Sequence, residues 1–169
     1  MPVLEKIGDD WEKGSIALSQ VYMSGRICEE LIDSVLPPQS PQRTSQPSMA
    51  VALLEDYHGL GKQILFSALR ASGFELQDFG RVQVQELVRL VVKNQCRILL
   101  ISVLMLPSAL LVRDVVDGLR QEGMDTRVVV GGAPFRFDQK LWEEVGADAT
   151  GRNIADALAV IHRYMEEMS

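Results

Sequence analysis

Short apolar runs alternate with amphipathic stretches from Met49 to Met165. An apolar run of about four to eight residues is typical of a buried strand, and apolar positions three and four apart are typical of a helix. The runs predict strands at residues 49–54, 74–79, 97–103, 126–130 and 147–150. The helical spacing predicts helices over residues 60–72 and around the apolar positions of 84–92, 112–119, 141–145 and 154–165.

Five strand–helix steps of this length predict an α/β fold. Right-handed crossovers place the helices on both faces of a five-stranded parallel sheet. A flavodoxin-like (Rossmann-like) strand order, 2-1-3-4-5, is the simplest arrangement. Ligands of such sheets bind beyond the carboxyl ends of the strands, at the switch between strands one and three. We therefore expect the functional site in the loops that follow strands one, three, four and five.

The residues before the sheet divide into two parts. Residues 37–48 hold four of the seven prolines and no aliphatic side chain, which predicts an extended linker. Residues 1–36 predict two helices that are separated at Gly14, a residue type that commonly ends helices. The domains are therefore expected at 1–36 (helical), 37–48 (linker) and 49–169 (α/β). The second helix has an apolar seam formed by Ala17, Val21, Ser24, Cys28, Leu31 and Val35, flanked by Leu18, Ile32 and Leu36.

Two helices alone cannot bury this seam, so it must pack on the main domain or on another chain. A symmetric dimer is the commonest solution for a surface of this kind. We hypothesise a homodimer joined through residues 1–36. The alternative is that the two helices fold back over their own α/β domain.

Composition and charge narrow the range of partners. The net charge of −6 and a pI near 4.9 disfavour a nucleic-acid partner, because phosphate binding needs clustered Lys and Arg. No apolar run approaches the roughly 18 residues of a membrane span, and the N-terminus lacks the pattern of a secretory signal. Two cysteines, Cys28 and Cys96, cannot form a disulfide framework. We therefore expect a cytoplasmic protein with neither a membrane nor a nucleic-acid partner.

The loop after the first strand contains the most informative polar residues. Gly61-Lys62 lacks both the glycine five positions earlier and the Ser or Thr that a P-loop requires, and no third glycine completes a dinucleotide-binding motif. Asp56 and His58 fit a common device of metal sites, in which a carboxylate fixes the tautomer of a ligating histidine. The alternative is that His58 is a solvated loop residue and that Asp56 is the N-cap of the following helix.

Three segments together carry a family resemblance. Asp56-x-His58-x-x-Gly61, then Ser102-x-Leu104, then Gly131-Gly132 resembles the signature of cobalamin-binding domains, including the module of cobalamin-dependent methionine synthase and the corrinoid proteins of methyltransferase systems. The resemblance runs from about residue 49 to about residue 165. It implies that His58 is the lower cobalt ligand, in place of the cofactor's dimethylbenzimidazole, and that Asp56 is its carboxylate partner.

The resemblance also implies that the displaced nucleotide tail enters a slot beside the sheet. Gly61 would leave room for it, Ser102 and Leu104 would contact it, and Gly131 and Gly132 would let it pass close to the backbone. The implied cofactor-binding residues are Asp56, Tyr57, His58, Gly59, Leu60, Gly61, Ile64, Ser102, Leu104, Leu106, Val130, Gly131, Gly132, Ala133, Thr150 and Gly151.

The chain departs from the family pattern at three places. Glu55 replaces a frequent glycine, Met105-Leu106-Pro107 replaces a Thr-rich stretch, and Phe135-Arg136-Phe137 is bulkier than usual. The segment from Trp11 to Gly14 with its following helix resembles the end of a four-helix cap. A two-helix remnant of that cap implies a more open cofactor face or completion by a second subunit; alternatively, Trp11 is a core residue of a small appendage.

The function that the resemblance implies is that of a methyl carrier. The cobalt of cobalamin, as methylcobalamin or another corrinoid, would carry a methyl group between methyltransferase partners. The chain would be a carrier subunit and not a complete enzyme, because no second domain for a substrate or folate is evident. A cobalamin sensor or storage protein is the alternative. The small subunit of an adenosylcobalamin mutase is a third hypothesis, which residues 1–36 disfavour.

Overall fold

A computed structural model describes residues 46–168 continuously and, before them, residues 6, 7, 10, 13–17, 19, 20, 23, 24, 27 and 31. The chain divides into two compact units, Met1–Leu36 and Pro37–Ser169. The predicted linker lies outside the described residues except for its last three positions.

The first unit is helical on both sides of Gly14. Gly14 has a φ of +69°, in the left-handed region that glycine adopts at little cost, and the N–H of Ser15 donates to the carbonyl of Asp10 at 2.8 Å. This is the bond that closes a Schellman motif at a helix C-terminus, so the predicted break is confirmed. The described helical residues are Lys6, Ile7, Asp10, Ser19, Gln20, Met23, Ser24, Ile27 and Leu31. Trp11, Leu18, Val21, Cys28, Ile32, Val35 and Leu36 lie outside the described residues.

The second unit contains five strands and seven helices among the described residues. The strands are β1 (Met49–Leu54), β2 (Gln77–Val82), β3 (Ile98–Ser102), β4 (Arg127–Gly131) and β5 (Ala149–Thr150). The helices are α1 (Leu60–Ala71), α2 (Val84–Asn94), α3 (Leu106–Leu110), α4 (Val112–Gln121), α5 (Ala133–Phe137), α6 (Leu141–Glu144) and α7 (Ile154–Glu167). The strands are parallel in the order β2-β1-β3-β4-β5, which confirms the predicted flavodoxin-like sheet.

The sheet has an apolar core on each face. In β1, Ala50, Ala52 and Leu54 pack with side chains of α2 and α4, whereas Met49 and Val51 pack with side chains of α1 and α7. Successive side chains of a strand point to opposite faces, so a strand covered on both sides needs a continuous apolar run. This is why β1 was recognisable over its whole length.

Strand β2 begins three residues later than the pattern predicts. Phe74 and Leu76 are buried, but they precede the strand. β2 is an edge strand, and within it only Val82 is buried, so its own residues carry no apolar run. The second strand exists as predicted, but its predicted bounds, 74–79, were wrong by three residues, because the core residues before the edge strand gave the stronger signal.

Two short helices, α3 and α5, were not predicted. Each has five residues with a proline in its first turn, which is too short for helical periodicity to be visible. Both follow a strand at its carboxyl end, so they help to form the edge of the sheet where the site was expected. Within the described part of the chain, no helix has the length and apolar character needed to cross a membrane.

Candidate functional site

The carboxylate of Asp56 connects the loop after β1 to the loop after β3. Asp56 is 2% exposed. Its Oδ1 accepts the N–H groups of Tyr57 at 2.7 Å and His58 at 3.1 Å and lies 2.8 Å from Nδ1 of His58. Its Oδ2 accepts the N–H groups of Leu104 at 2.7 Å and Met105 at 2.9 Å. These two loops meet at the predicted switch point, between the paired strands β1 and β3.

The hydrogen bonds of Asp56 keep it ionised. Burial alone would raise the pKa of Asp56, but the bonds from the His58 ring and from the N–H groups of Leu104, Met105 and His58 outweigh burial and hold the pKa well below its usual range. An ionised carboxylate only accepts hydrogen bonds, so Nδ1 of His58 carries a proton, and in the neutral ring Nε2 is the nitrogen with the lone pair. The His58 side chain is 57% exposed, so its ring lies at the surface, where a ligand can approach it.

The alternative interpretation of Asp56 as the N-cap of α1 is wrong. The N-cap position of α1 is Gly59, and no side chain hydrogen-bonds to the helix start there. The five acceptor contacts of Asp56 instead involve its own loop and the lead-in to α3.

Glu55 and Ser108 determine the backbone conformation just before Asp56. Glu55 has a φ of +44°, a left-handed conformation that side chains other than glycine rarely adopt. The hydroxyl of Ser108, which is buried, donates to the carbonyl of Glu55 at 3.0 Å. This left-handed conformation explains why glycine is frequent here in the family pattern, although this chain has Glu55. Ser108 was not predicted as a site residue, and no sequence pattern marks it.

The start of α1 faces the end of β3. A Cβ atom added to Gly61 would lie 3.6 Å from Oγ of Ser102, so these two predicted site residues are adjacent. Ile64, one turn further along α1, is partly buried, whereas Leu104 and Leu106 are 42% and 54% exposed. Leu104 and Leu106 thus present exposed apolar side chains in the loop that follows Ser102.

The glycines after β4 and β5 are required by the chain's own packing. Gly132 has a φ of +126°, and a Cβ there would collide with the carbonyl of Val103. A Cβ on Gly131 would lie 3.0 Å from the carbonyl of Gly151, and one on Gly151 would lie 3.2 Å from Cβ of Ala157. The loops after β3, β4 and β5 are thus in direct contact, as predicted for a shared edge of the sheet.

The remaining predicted site residues lie along this edge. Val130 is buried, Ala133 and Thr150 are partly buried, and the Thr150 hydroxyl donates to the carbonyl of Val130 at 3.1 Å. Tyr57 is 80% exposed, and Gly59 and Leu60 are partly exposed. After Gly132, Phe135 is in the core whereas Phe137 is exposed. Cofactor contact by any of these residues remains a prediction.

The donor set fits a metal that brings most of its own ligands. Among the described residues, no group of three or more His, Cys, Asp and Glu side chains could hold a bare metal ion. The imidazole of His58, with its buried carboxylate partner, would provide one ligand to the metal of a cofactor that supplies its other ligands itself. A corrin ring would provide four nitrogen ligands to its cobalt, so one protein imidazole is enough. The site therefore fits the cofactor that the sequence resemblance implies.

Known protein families and solved structures resemble both units of the chain. A B12 binding domain model matches residues 48–159, and a second B12 binding domain model matches residues 1–35. The monomethylamine corrinoid protein 2 of Methanosarcina acetivorans is 32% identical over 98% of this chain and 79% of its own length. The structure of the Methanosarcina barkeri monomethylamine corrinoid protein is similar, with a TM-score of 0.73, 28% identity, and coverage of 96% of this chain and 78% of that one.

A further solved structure is a methanol:cobalamin methyltransferase complex from Methanosarcina barkeri. The TM-score is 0.61 and the identity 25%, over 94% of this chain and 63% of the chain in that complex. The similarity to all three proteins extends over nearly the whole of the present chain.

Proposed function

This chain belongs to the B12-binding domain family, and we propose that it is a corrinoid protein that carries a methyl group on cobalt between methyltransferase partners. The observation that carries the proposal is the pair formed by His58 and Asp56 at the switch point of the sheet. A bound corrinoid would supply the cobalt at which a methyl group is accepted and released. The protein would supply the lower ligand, the orientation of the ring and the access of partners.

His58 is proposed to ligate cobalt through Nε2. Asp56 holds the proton on Nδ1 and so selects the tautomer in which Nε2 is the donor. The negative charge of Asp56 also makes the imidazole a stronger donor. The four backbone N–H groups that Asp56 accepts fix its position before any cofactor arrives, so little ordering is needed on binding.

The nucleotide tail of the cofactor is proposed to enter beside Gly61 and Ser102. Gly61 offers a surface without a side chain, and Ser102 has a hydroxyl next to it. Leu104 and Leu106 would contact apolar parts of the corrinoid, since both are exposed at the same loop. Gly131 and Gly132 have no side chains, which would leave room for the tail beside the end of β4.

The proposed partners are methyltransferases. The relatives in the comparisons include a protein within a methanol:cobalamin methyltransferase complex and corrinoid proteins named for methylamines. We propose a cytoplasmic setting, since Cys96 is a buried free thiol and cysteines stay reduced in the cytosol.

The first unit is proposed to join two copies of the chain. Met23, Ile27 and Leu31 are helical residues at intervals of four positions and are 55%, 51% and 55% exposed. Residues with this spacing form one apolar row on a helix. Of the predicted seam, Ala17, Ser24 and Leu31 are described. The row shares only Leu31 with that seam, but it is likewise an apolar surface on a helix. A second copy presenting an equivalent row is the proposed occupant.

Spectroscopy of the loaded protein tests the cobalt ligand. The purified protein should bind hydroxocobalamin in a base-off form, and the Co(II) state should show the nitrogen splitting of a histidine ligand in EPR. The variant His58→Ala should lose that splitting. The matched control is His162→Ala, because His162 is the only other histidine of the chain. A wild-type protein that binds no corrinoid would refute the proposal.

Retention of the methyl group separates a carrier from a storage protein. The reduced, loaded protein is methylated with methyl iodide and then mixed with extract of the source organism and a thiol acceptor. A carrier should lose its methyl–cobalt absorbance while the corrinoid stays bound. A storage or sensor protein should keep the methyl group under the same conditions.

A further inference from the structure

Strand β2 supplies two charged side chains to the surroundings of the histidine loop, residues 55–59. The first is Asp78, whose two carboxylate oxygens lie 2.6 and 2.5 Å from Nζ of Lys62. Lys62 belongs to the first turn of α1, four residues after His58, and is 7% exposed. The histidine loop therefore ends in a helix that is attached to β2 by an ion pair.

Lys62 occupies a position that is unfavourable for a lysine. The N-terminus of a helix carries a positive partial charge, the first turn of α1 contains no acidic residue, and a buried ammonium is costly unless it is paired. Asp78 provides the compensating charge. It also accepts the N–H of Gly80 at 2.8 Å, where the chain has a φ of +70° and the pairing of β2 with β1 is irregular. The carboxylate thus fixes both the start of α1 and the shape of β2.

The second side chain is Arg81. Its guanidinium carbon lies 3.7 Å from the centre of the Tyr57 ring, which is a stacking distance. Tyr57 is 80% exposed and stands between Asp56 and His58 in the sequence. Without Arg81, this ring would have few contacts to fix it. The stack therefore restrains the middle of the histidine loop from the side of β2.

We propose that β2 braces the histidine loop, with Asp78 and Arg81 as positioning residues that keep His58 ready to ligate a corrinoid. Asp56 holds the loop from the β3 side, Asp78 holds its end through Lys62, and Arg81 holds its middle through Tyr57. The brace reduces the ordering that ligation requires, which increases affinity and the fraction of cobalt with histidine bound. The part of the proposal that concerns cobalt rests on the proposed function.

The test compares Asp78→Asn, Arg81→Ala and Arg81→Lys in the full chain, with and without hydroxocobalamin. A group bonded directly to a metal ligand typically contributes about 10- to 100-fold in affinity; because Asp78 acts on His58 only through Lys62, Asp78→Asn should weaken binding by about tenfold at most. Arg81→Ala should weaken it by about two- to fivefold, the value of an exposed cation–π contact. Arg81→Lys should recover part of that loss, because it keeps a cation beside Tyr57. The nitrogen splitting of Co(II) should weaken in the same order.

Hydrogen exchange of the protein without cofactor gives a readout that does not depend on corrinoid binding. The amides of Tyr57 and His58, which donate to Asp56, should exchange about threefold or more faster in Asp78→Asn and Arg81→Ala than in the wild type, because the loop opens more often. Arg89→Gln, an exposed arginine of α2, is the control and should change neither exchange nor affinity.

The outcomes separate the brace from the proposed function. Unchanged exchange at Tyr57 and His58 in both variants would overturn the brace, even if the melting temperature fell. A wild-type protein that binds no corrinoid would defeat the proposed function, while the exchange measurement would still decide the brace. If Asp78→Asn fails to fold, the pair Arg81→Ala and Arg81→Lys decides, since Arg81 is exposed.

Discussion

Oδ2 of Asp56 accepts the backbone N–H of Leu104 at 2.7 Å, although the two residues are 48 positions apart in the sequence. This bond joins the loops after β1 and β3, and the other carboxylate oxygen holds the ring of His58. One buried side chain therefore sets both the fold at the switch point and the tautomer of the proposed cobalt ligand. The fold and the function should respond together when it is changed.

Asp56→Asn should destabilise the protein at pH 7 by about 2 kcal/mol, because charge-assisted hydrogen bonds are replaced by weaker neutral ones. The folded-state pKa of Asp56 lies well below its unfolded value of about 3.9. Its carboxylate therefore stabilises the fold above that pH, and the contribution is lost as the pH falls below it. The difference between the wild type and Asp56→Asn should shrink between about pH 5 and pH 3.

Urea unfolding at pH 7, 5, 4 and 3 measures this difference. Asp125→Asn, at an exposed aspartate, is the control and should change stability by less than about 0.5 kcal/mol. A difference for Asp56→Asn that stays constant down to pH 3 would show that hydrogen-bond geometry, and not charge, provides the stability. In the loaded protein the same variant should shift the cobalt midpoint potential or weaken ligation.

Glu55→Gly tests the left-handed residue before Asp56. A residue with a Cβ costs about 1 kcal/mol or more in this conformation, and glycine removes that cost but loses more entropy on folding. The variant should have a free energy of unfolding equal to the wild type or up to about 1 kcal/mol higher. Glu55→Val should be destabilised by about 1–2 kcal/mol, because a β-branched residue tolerates this conformation least.

Urea denaturation of the two variants at pH 7 provides the comparison. The Glu55 side chain makes one long contact, from its Oε1 to the N–H of Val84 at 3.4 Å. A loss of more than about 2 kcal/mol in Glu55→Gly would show that this contact outweighs the backbone conformation.

The double variant Met23→Glu, Ile27→Glu tests the proposed dimer. Burying an unpaired carboxylate in an apolar interface is costly, because the charge loses its hydration. The wild type should therefore be dimeric at micromolar concentration, and the variant should be monomeric. Sedimentation equilibrium measures both states. Gln85→Glu, Gln121→Glu adds the same two charges on exposed positions of the second unit and should leave the dimer intact. A monomeric wild type would rule the dimer out.

The sequence predicted those parts of the fold whose residues are buried on both sides. β1, β3 and β4 are continuous apolar runs, and the four buried residues of α4 are the four that its spacing selected. β2 was misplaced because an edge strand with Asp78 and Gly80 carries no such run. The chemistry of Asp56 and His58 was visible because they are two residues apart in one loop.

The contacts that support the site were not visible in the sequence. Lys62 and Asp78 are 16 positions apart and belong to elements whose pairing depends on the register of an irregular edge strand. Ser108 reaches the carbonyl of Glu55 across 53 positions. Such contacts follow from tertiary geometry, which local spacing does not specify. The Lys62 side chain looked like part of an incomplete phosphate loop, whereas its ammonium is bound to a carboxylate.

Gly61→Val tests the slot proposed for the nucleotide tail. A Cβ at this position would make only ordinary contact with Ser102, so the fold should tolerate the change, and a helix favours valine slightly over glycine. The added methyl groups would enter the slot, and overfilling a packed site typically costs about 1–3 kcal/mol, or roughly tenfold or more in affinity. Cobalamin should therefore bind about tenfold or more weakly, whereas cobinamide, a corrinoid that lacks the nucleotide tail, should bind nearly as well as to the wild type.

Spectrophotometric titrations with both corrinoids give the two affinities, and Gly61→Ala is the smaller matched change. Its effect on cobalamin should lie between those of the wild type and Gly61→Val, because one methyl group occupies less of the slot. Equal losses for cobalamin and cobinamide would place Gly61 beneath the corrin ring instead of beside the tail. No loss for either would remove Gly61 from the cofactor site, although His58 would remain the proposed cobalt ligand.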